Sequence, residues 1–207
     1  MGVISNGTTL LDSGSLDSGV PSGSMVLIKT LTASSSGTLS FVDGASSVVF
    51  DGTYKQYVFK FIDIHAGTEN ANFTFQASTN GGSGYGVALT SSFFRAVHGQ
   101  DGSSGTVSYE TDKDLAQSTG AQTIATDVTN ENDSSAVGYV HLFNPSSTTF
   151  VKHFICSMST IYRSGEPGAY NTYVAGYMNT TSAVDAVQFK MSSGNIDSGV
   201  IKLYGIS

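Results

Sequence analysis

Apolar and polar residues alternate along most of the chain after residue 24, and this period of two predicts β-strands. In the clearest run, Tyr57, Phe59 and Phe61 share one face with Asp63. The opposite face of that run takes Val58, Lys60, Ile62 and Ile64. The same pattern predicts strands near 25–31, 37–42, 47–50, 72–77, 87–97, 138–143, 149–159 and 170–178. The segments 138–143 and 149–159 flank Asn144-Pro145, a turn signal, and are expected to pair as a hairpin.

The last segment, 183–207, predicts two further strands joined by a tight turn at Ser192–Asn195, which we interpret as a hairpin that completes the sheet. A second kink is expected at Asp197–Gly199. The side chains expected to face a core in the first of these strands are Val187, Phe189 and Met191. In the second, Ile201 and Leu203 share one face, opposite Val200, Lys202, Tyr204 and Ile206.

The middle of the chain is polar at 102–107, 120–123 and 126–135, and only 112–117 hints at a helical turn, with Thr111 or Asp112 as its cap. About ten short strands without a convincing helix favour an all-β fold. We predict an antiparallel β-sandwich of jelly-roll type over residues 25–207. Residues 1–24 contain Leu11-Asp12-Ser13-Gly14 and its echo Leu16-Asp17-Ser18-Gly19, and predict a turn-rich N-terminal arm that a partner orders.

Charge excludes several classes of partner. Only 12% of the 207 residues are charged, 9 Lys and Arg face 16 Asp and Glu, and the net charge is −7. Without a basic run, the sequence predicts no nucleic-acid partner. It contains no apolar run of membrane-spanning length and no signal-peptide pattern, so we expect a soluble, leaderless protein with no membrane partner. The single Cys156 cannot form an internal disulfide and is interpreted as a small buried hydrophobe.

Two catalytic patterns are outweighed by simpler interpretations. Asp-Ser-Gly begins at Asp12, Asp17 and Asp197, as in aspartic proteases, but it is also an ordinary turn sequence. The run Gly81–Gly86 surrounds Ser83 without the spacing of a nucleophile elbow. We therefore predict no catalytic residues and a protein that is not an enzyme.

Metal and glycan sites are the remaining alternatives. Asp63 shares a strand face with His65, and His141 and His153 are expected to pair across their hairpin, but zinc needs three convergent ligands. The fourth histidine is His98. The loop Asp127–Asp133 has acidic oxygens without the calcium-loop rhythm. We predict no metal and no cofactor. For a glycan, Tyr173 and Tyr177 share a face within the group Tyr162, Tyr170, Tyr173 and Tyr177, although a core or subunit contact is the favoured interpretation.

Three segments carry a resemblance to a known class: Lys55–His65, Phe143–His153 and Phe189–Ile206. They resemble segments of small β-rich virion structural proteins of tailed bacteriophages, especially marine ones, and the similarity spans roughly residues 25–206. The resemblance implies a non-enzymatic protein located in the virion, as capsid decoration or associated with the tail or a fibre. Its motifs are structural, so it assigns no site residues.

Partners follow from the same resemblance. It implies a homo-oligomer, with a trimer preferred by analogy, bound to other virion proteins. The arm of residues 1–24 is the expected attachment segment. The alternative is a receptor- or glycan-binding module at a tail or fibre tip, with a host-surface glycan as its ligand.

Overall fold

The computed structural model describes residues 3–5, 8–12, 15–16, 24–102, 105–162 and 167–206. Within these ranges there is no helix, and so none that would span a membrane. The strands are β1 (Val3–Ser5), β2 (Thr8–Asp12), β3 (Ser15–Leu16), β4 (Met25–Ser36), β5 (Leu39–Val42), β6 (Gln56–Ala66), β7 (Ala71–Ser78), β8 (Leu89–Gly99), β9 (Gly105–Tyr109), β10 (Gln122–Val128), β11 (Ala136–Phe143), β12 (Lys152–Tyr162), β13 (Gly168–Met178), β14 (Ala186–Met191) and β15 (Ile196–Ile206).

Twelve of these strands form two antiparallel sheets packed face to face. The smaller sheet has the order β10-β7-β14-β5, and the larger has the order β4-β15-β6-β11-β12-β13-β8-β9. The β11–β12 pair is the hairpin expected around Asn144-Pro145. The prediction of an all-β, antiparallel β-sandwich is thus confirmed, and its jelly-roll type stays a prediction.

The core lies between the sheets and is largely aromatic. Phe189 of β14 is fully buried, and its ring centroid lies 5.1 Å from that of Phe59 and 5.1 Å from that of Phe61, both on β6. Val187 and Met191 are buried beside it, as alternation predicted. Ile201 and Leu203 of β15 are buried as well. The inward side chains of both sheets therefore form one continuous core.

A β-bulge corrects one facing assignment. Ile64 is fully buried in the core with Tyr57, Phe59 and Phe61, although alternation placed it on the opposite face with Lys60 and Ile62. Asp63 adopts a φ of 51°, and the register with β11 shifts between Ala136 and Gly138. An extra residue in one strand reverses the alternation beyond it. Ile64 and Ala66 consequently face the core.

The predicted C-terminal hairpin is wrong. β14 pairs with β5 and β7 in the smaller sheet, whereas β15 pairs with β4 and β6 in the larger one. The turn at Ser192–Asn195 therefore carries the chain from one sheet to the other. The kink expected at Asp197–Gly199 is present as a register shift on either side of Ser198, and Gly199 has a φ of 123°.

Three other segments differ from the prediction. Residues 47–50 are not a strand, although Val48 and Phe50 are buried in the core. At 112–117 there is one turn, in which the Glu110 carbonyl accepts from Lys113 and Asp114, and no helix. The polar middle contains β9 and β10. Gln122 of β10 is buried because its amide donates to the carbonyls of Lys113 and Thr123.

The N-terminal strands are separate from the sandwich pairing. Among the described residues, β1, β2 and β3 pair antiparallel with one another in a sheet of their own. Part of this arm, which was expected to be rich in turns, thus forms β-strands. The division of the chain at residues 24 and 25 stays a prediction.

The buried phenol of Tyr57 predicts that the protein becomes less stable at alkaline pH. Burial raises the pKa of its phenol to about 12, although the Tyr54 backbone lowers it slightly. The hydroxyl makes no regular hydrogen bond and is fully buried. Between its ordinary pKa of about 10 and the folded value, the unfolded chain loses this proton and the folded chain keeps it, so stability falls as pH rises.

We expect the free energy of unfolding of the wild type to fall between about pH 10 and pH 12, relative to a Tyr57→Phe variant. Urea unfolding of both proteins at neutral pH and within that window measures the difference. Other tyrosines and lysines cancel in the comparison. Parallel pH curves for the two proteins would contradict the assignment.

Candidate functional site

The surface of the eight-stranded sheet that faces away from the smaller sheet is here called the outer face. A row of residues that are direct cross-strand partners, here called a register, crosses this face from β6 through β11, β12, β13 and β8 to β9. Its members in that order are Lys60, Tyr139, Ser157, Tyr173, Phe94 and Tyr109. Four of the six are aromatic, and all four are at least 40% exposed. Strand pairing thus builds an exposed aromatic row from four strands, β11, β13, β8 and β9.

A shallow groove of about 220 Å³ lies in the middle of this row. The rings of Phe94 and Tyr173 stack along one side, with centroids 5.0 Å apart and planes at 16°. Tyr139 and Ile155 contribute to the lining, and Ile155 is 51% exposed. The groove is largely apolar, and Ser92 and Ser157 also contribute to its lining. A flat aromatic pair in an apolar groove is suited to packing against another apolar surface.

The neighbouring register carries His141, Ile155, Ala175 and Ser92 across the same strands. Neither register contains a carboxylate. Lys60 and Lys202 lie opposite each other toward one edge, with the Lys60 ammonium 5.3 Å from the centroid of the Tyr204 ring. At the other edge, the Tyr109 hydroxyl donates to Asp114 over 2.6 Å, and this bond raises the pKa of Tyr109. The row is therefore positive at one end and negative at the other.

The four tyrosines singled out from the sequence divide between two faces. Tyr173 and Tyr177 lie on the outer face, as alternation predicted, and Tyr177 packs beside His153 with centroids 6.1 Å apart. Tyr162 and Tyr170 are on the opposite side, where their rings stack with centroids 4.6 Å apart. The Arg95 guanidinium lies 4.5 Å from the Tyr170 centroid and pairs with Glu110 and Asp127. This second cluster ties β8 to β10 and to the residue after β9.

The residues considered for metals are dispersed among other contacts. The Nε2–H of His65 donates to the Glu131 carbonyl over 3.1 Å, and its Nδ1 lies 3.6 Å from an Asp197 carboxylate oxygen. His141 lies opposite Ile155, so it does not pair directly with His153, and it contacts Gln56 instead. Burial and the nearby Lys60 lower the pKa of His141. In the described part of the chain, no three His, Cys, Asp or Glu side chains converge as metal ligands.

The bulge does bring Asp63 and His65 to one small surface pocket of about 230 Å³, which Asp133 also lines. Asp127, at the other end of the predicted calcium loop, is paired with Arg95 and lies away from that pocket lining. The loop Asp127–Asp133 therefore does not present its acidic side chains to one point.

The catalytic patterns take structural roles in the described residues. Asp197 lies in the bulged start of β15, and Asp17 falls outside the described residues. Ser83 donates to the Asn80 carbonyl in a loop. That loop borders a pocket of about 520 Å³, where Tyr85 is the titratable side chain of the lining. Cys156 is buried in the core, as expected, and burial raises the pKa of its thiol.

Sequence reasoning found Tyr173 but missed Phe94, Tyr139 and Tyr109 as its neighbours. Alternation marks an outward residue on each strand, but it does not tell which strands are adjacent.

Comparisons with protein-family models, with curated proteins and with solved structures find no match to this chain.

Proposed function

We propose that this chain is a non-enzymatic virion structural protein of a tailed bacteriophage, exposed on the particle surface as capsid decoration or in association with the tail or a fibre. The observation that carries the proposal is the aromatic row of the outer face, with Tyr139, Tyr173 and Phe94 at its centre. Contiguous exposed aromatic surface in a β-sandwich is typical of a surface used for assembly. Self-association and binding to other virion proteins would cover it.

The connectivity supports the predicted jelly-roll type. In the larger sheet β4, β15, β6 and β11 are neighbours, and in the smaller sheet β5, β14, β7 and β10 are neighbours. Among these eight strands, the chain changes group at every step except from β7 to β10, as in a jelly roll, an architecture found in viral capsid domains. The additional strands β8, β9, β12 and β13 extend the larger sheet and create the area on which the aromatic row lies.

Composition agrees with a location in the virion. A net charge of −7 disfavours contact with packaged nucleic acid. The resemblance of Lys55–His65, Phe143–His153 and Phe189–Ile206 to virion proteins of tailed phages points the same way. The trimer expected by that analogy rests on no particular residue.

The proposal includes the absence of catalysis and of a tightly bound metal. The side chains with suitable chemistry have other roles: Asp127 pairs with Arg95, His65 contacts Asp197, and Cys156 is buried. We expect elemental analysis of purified protein to show no stoichiometric zinc or calcium. We also expect host polysaccharide and peptidoglycan to remain undegraded after incubation. A stoichiometric metal or released oligosaccharide would contradict this part of the proposal.

A mass-spectrometric inventory of purified particles of the encoding phage tests the proposal. We expect peptides of this chain at many copies per particle, in a constant ratio to a known structural protein. Absence from purified particles, with the chain present in the infected-cell lysate, would overturn it.

Glycan binding is the second candidate, and the stacked pair of Phe94 and Tyr173 favours it because a sugar ring packs well on an aromatic face. A glycan array screened with the wild type and with Tyr173→Ala tests it. Retention of one glycan class that the variant loses would support a receptor-binding module.

A further inference from the structure

We propose that the outer face binds the outer face of a second copy about a twofold axis, parallel to the strands and between β12 and β13. This inference rests on the proposed function, in that it names the partner of the assembly surface. A twofold contact is isologous, so one patch must complement itself. The side chains that the axis brings together must therefore complement one another.

The position of the axis follows from the groove. The groove is lined by β11 and β12 on one side of the proposed axis and by β13 and β8 on the other. Rotation about a line between β12 and β13 places β12 over β13 of the partner, β11 over β8 and β6 over β9. Packed sheets keep their strand directions within about 30°. Contacts closest to the axis are therefore the best aligned.

Side-chain sizes complement each other about this axis. Tyr173 of one copy comes opposite Ser157 of the other, since both belong to the same register. In the neighbouring register, Ile155 comes opposite Ala175. Each exposed large side chain next to the axis thus meets a small one across the interface. This alternation of large and small lets two sheets approach to the usual spacing of about 10 Å.

The next pair outward is aromatic on aromatic. Tyr139 of β11 comes opposite Phe94 of β8, again within one register. Both rings are more than 40% exposed in the single chain. Aromatic pairs of this kind add about 0.5–1.5 kcal/mol beyond the burial of their area. Since the twofold axis generates the contact twice, the complex contains two such pairs.

Charge is complementary at the two ends of the row. Lys60 of β6 comes opposite Tyr109 of β9, whose hydroxyl donates to Asp114. The positive end of each copy thus meets the negative end of the other, and a shift by a few strands would lose this match. Complementary charge of this kind fixes the register of an interface.

The available area lies near the lower limit for a stable pair. The axis superimposes six strands of each copy, from β6 to β9. At about 4.8 Å spacing they are about 29 Å wide, and three rows of outward residues extend about 20 Å along the strands, so the overlap covers roughly 580 Å². Specific interfaces bury about 600–1,000 Å² on each partner. The result is an assembly with an even number of copies, in place of the trimer that rests on analogy.

Analytical ultracentrifugation of the full chain tests the inference. We expect the wild type to sediment as a dimer or a multiple of it, and Ile155→Asp to dissociate at least about tenfold more readily, because it places a carboxylate next to the axis. The matched control is Phe150→Asp, since Phe150 is 69% exposed and lies outside the strands. The control should keep the wild-type assembly. Circular dichroism checks that both variants are folded.

Two further measurements do not depend on that variant. Lys60→Glu should weaken the dimer, and a second change, Asp114→Lys, should restore it.

In a mixture of Ile155→Cys and Ala175→Cys proteins, a bis-maleimide with a reach of about 10 Å should link one protein to the other. In a mixture of Ile155→Cys and Phe150→Cys proteins, the reagent should form no link between the two different proteins.

A monomeric wild type, or an odd-numbered oligomer that Ile155→Asp leaves intact, would overturn the inference. A monomer that binds glycan through Tyr173 would overturn it in favour of the second candidate function. If the chain dimerises as described but is absent from virions, the proposed function fails and the twofold contact stands. If it is abundant in virions and monomeric in solution with unlinked cysteine variants, the twofold contact fails alone.

Discussion

Replacement of Phe189 by alanine is expected to lower the free energy of unfolding by about 3–5 kcal/mol, the usual cost of removing a fully buried phenylalanine. Phe189 is 0% exposed and lies where the two sheets meet. Its ring contacts those of Phe59 and Phe61 from the larger sheet, and it stacks on Phe73 of β7 with centroids 5.9 Å apart. The cavity would be lined by rings held in place by both sheets, which limits its collapse.

Urea unfolding measures this loss, and Phe150→Ala is the matched control. Phe150 is 69% exposed, so the same chemical change should alter the free energy of unfolding by no more than about 0.5 kcal/mol. A loss below about 1 kcal/mol for Phe189→Ala would place Phe189 outside the core and contradict the packing described above.

Deletion of residues 1–24 is expected to leave the sandwich folded and to weaken attachment to the particle at least about tenfold, which corresponds to about 1.4 kcal/mol. β4 begins at Met25, and the described strands β1, β2 and β3 pair with one another. The deletion therefore removes no strand from the two packed sheets.

Co-sedimentation with particles that lack this protein measures attachment of the truncated and the full chains. Far-UV circular dichroism and urea unfolding show whether the truncated chain keeps its β-structure. The control is the full chain with Phe150→Ala, which should decorate particles normally. Full occupancy by the truncated chain would exclude the arm as the attachment segment.

Alternation along the sequence was sufficient to predict several of the buried faces. Tyr57, Phe59 and Phe61 share one face, as predicted, and Phe189 faces the core, as predicted. It failed at Ile64, because the bulge depends on a positive φ at Asp63 that a non-glycine residue rarely adopts. A period of two contains no signal for such an insertion.

Strand partners were less predictable than strands. β14 and β15 are adjacent in the chain, and their sequences are typical of a hairpin. They nevertheless belong to different sheets, and the inward side chains of each strand pack against the opposite sheet. β10 was missed because Gln122 and Thr126 are polar. Their burial is made favourable by hydrogen bonds to distant residues, such as the one from Ser91 to Gln122, which no local pattern records.

The candidate site was predictable only in part, for the same reason. Tyr173 and Tyr177 were placed on one face from their spacing within a single strand. The neighbours of Tyr173 in the groove, Phe94 and Tyr139, come from β8 and β11, which are far apart in sequence. The aromatic row exists only once the order of the eight-stranded sheet is known.

We propose that this chain lies on the outside of a phage particle. Electron microscopy of intact, purified particles labelled with a gold-conjugated antibody against the chain tests this most directly. We expect gold at repeated positions on the capsid, tail or fibres of unbroken particles. Gold that is absent from intact particles, while the same antibody detects the chain free in the lysate, would contradict it.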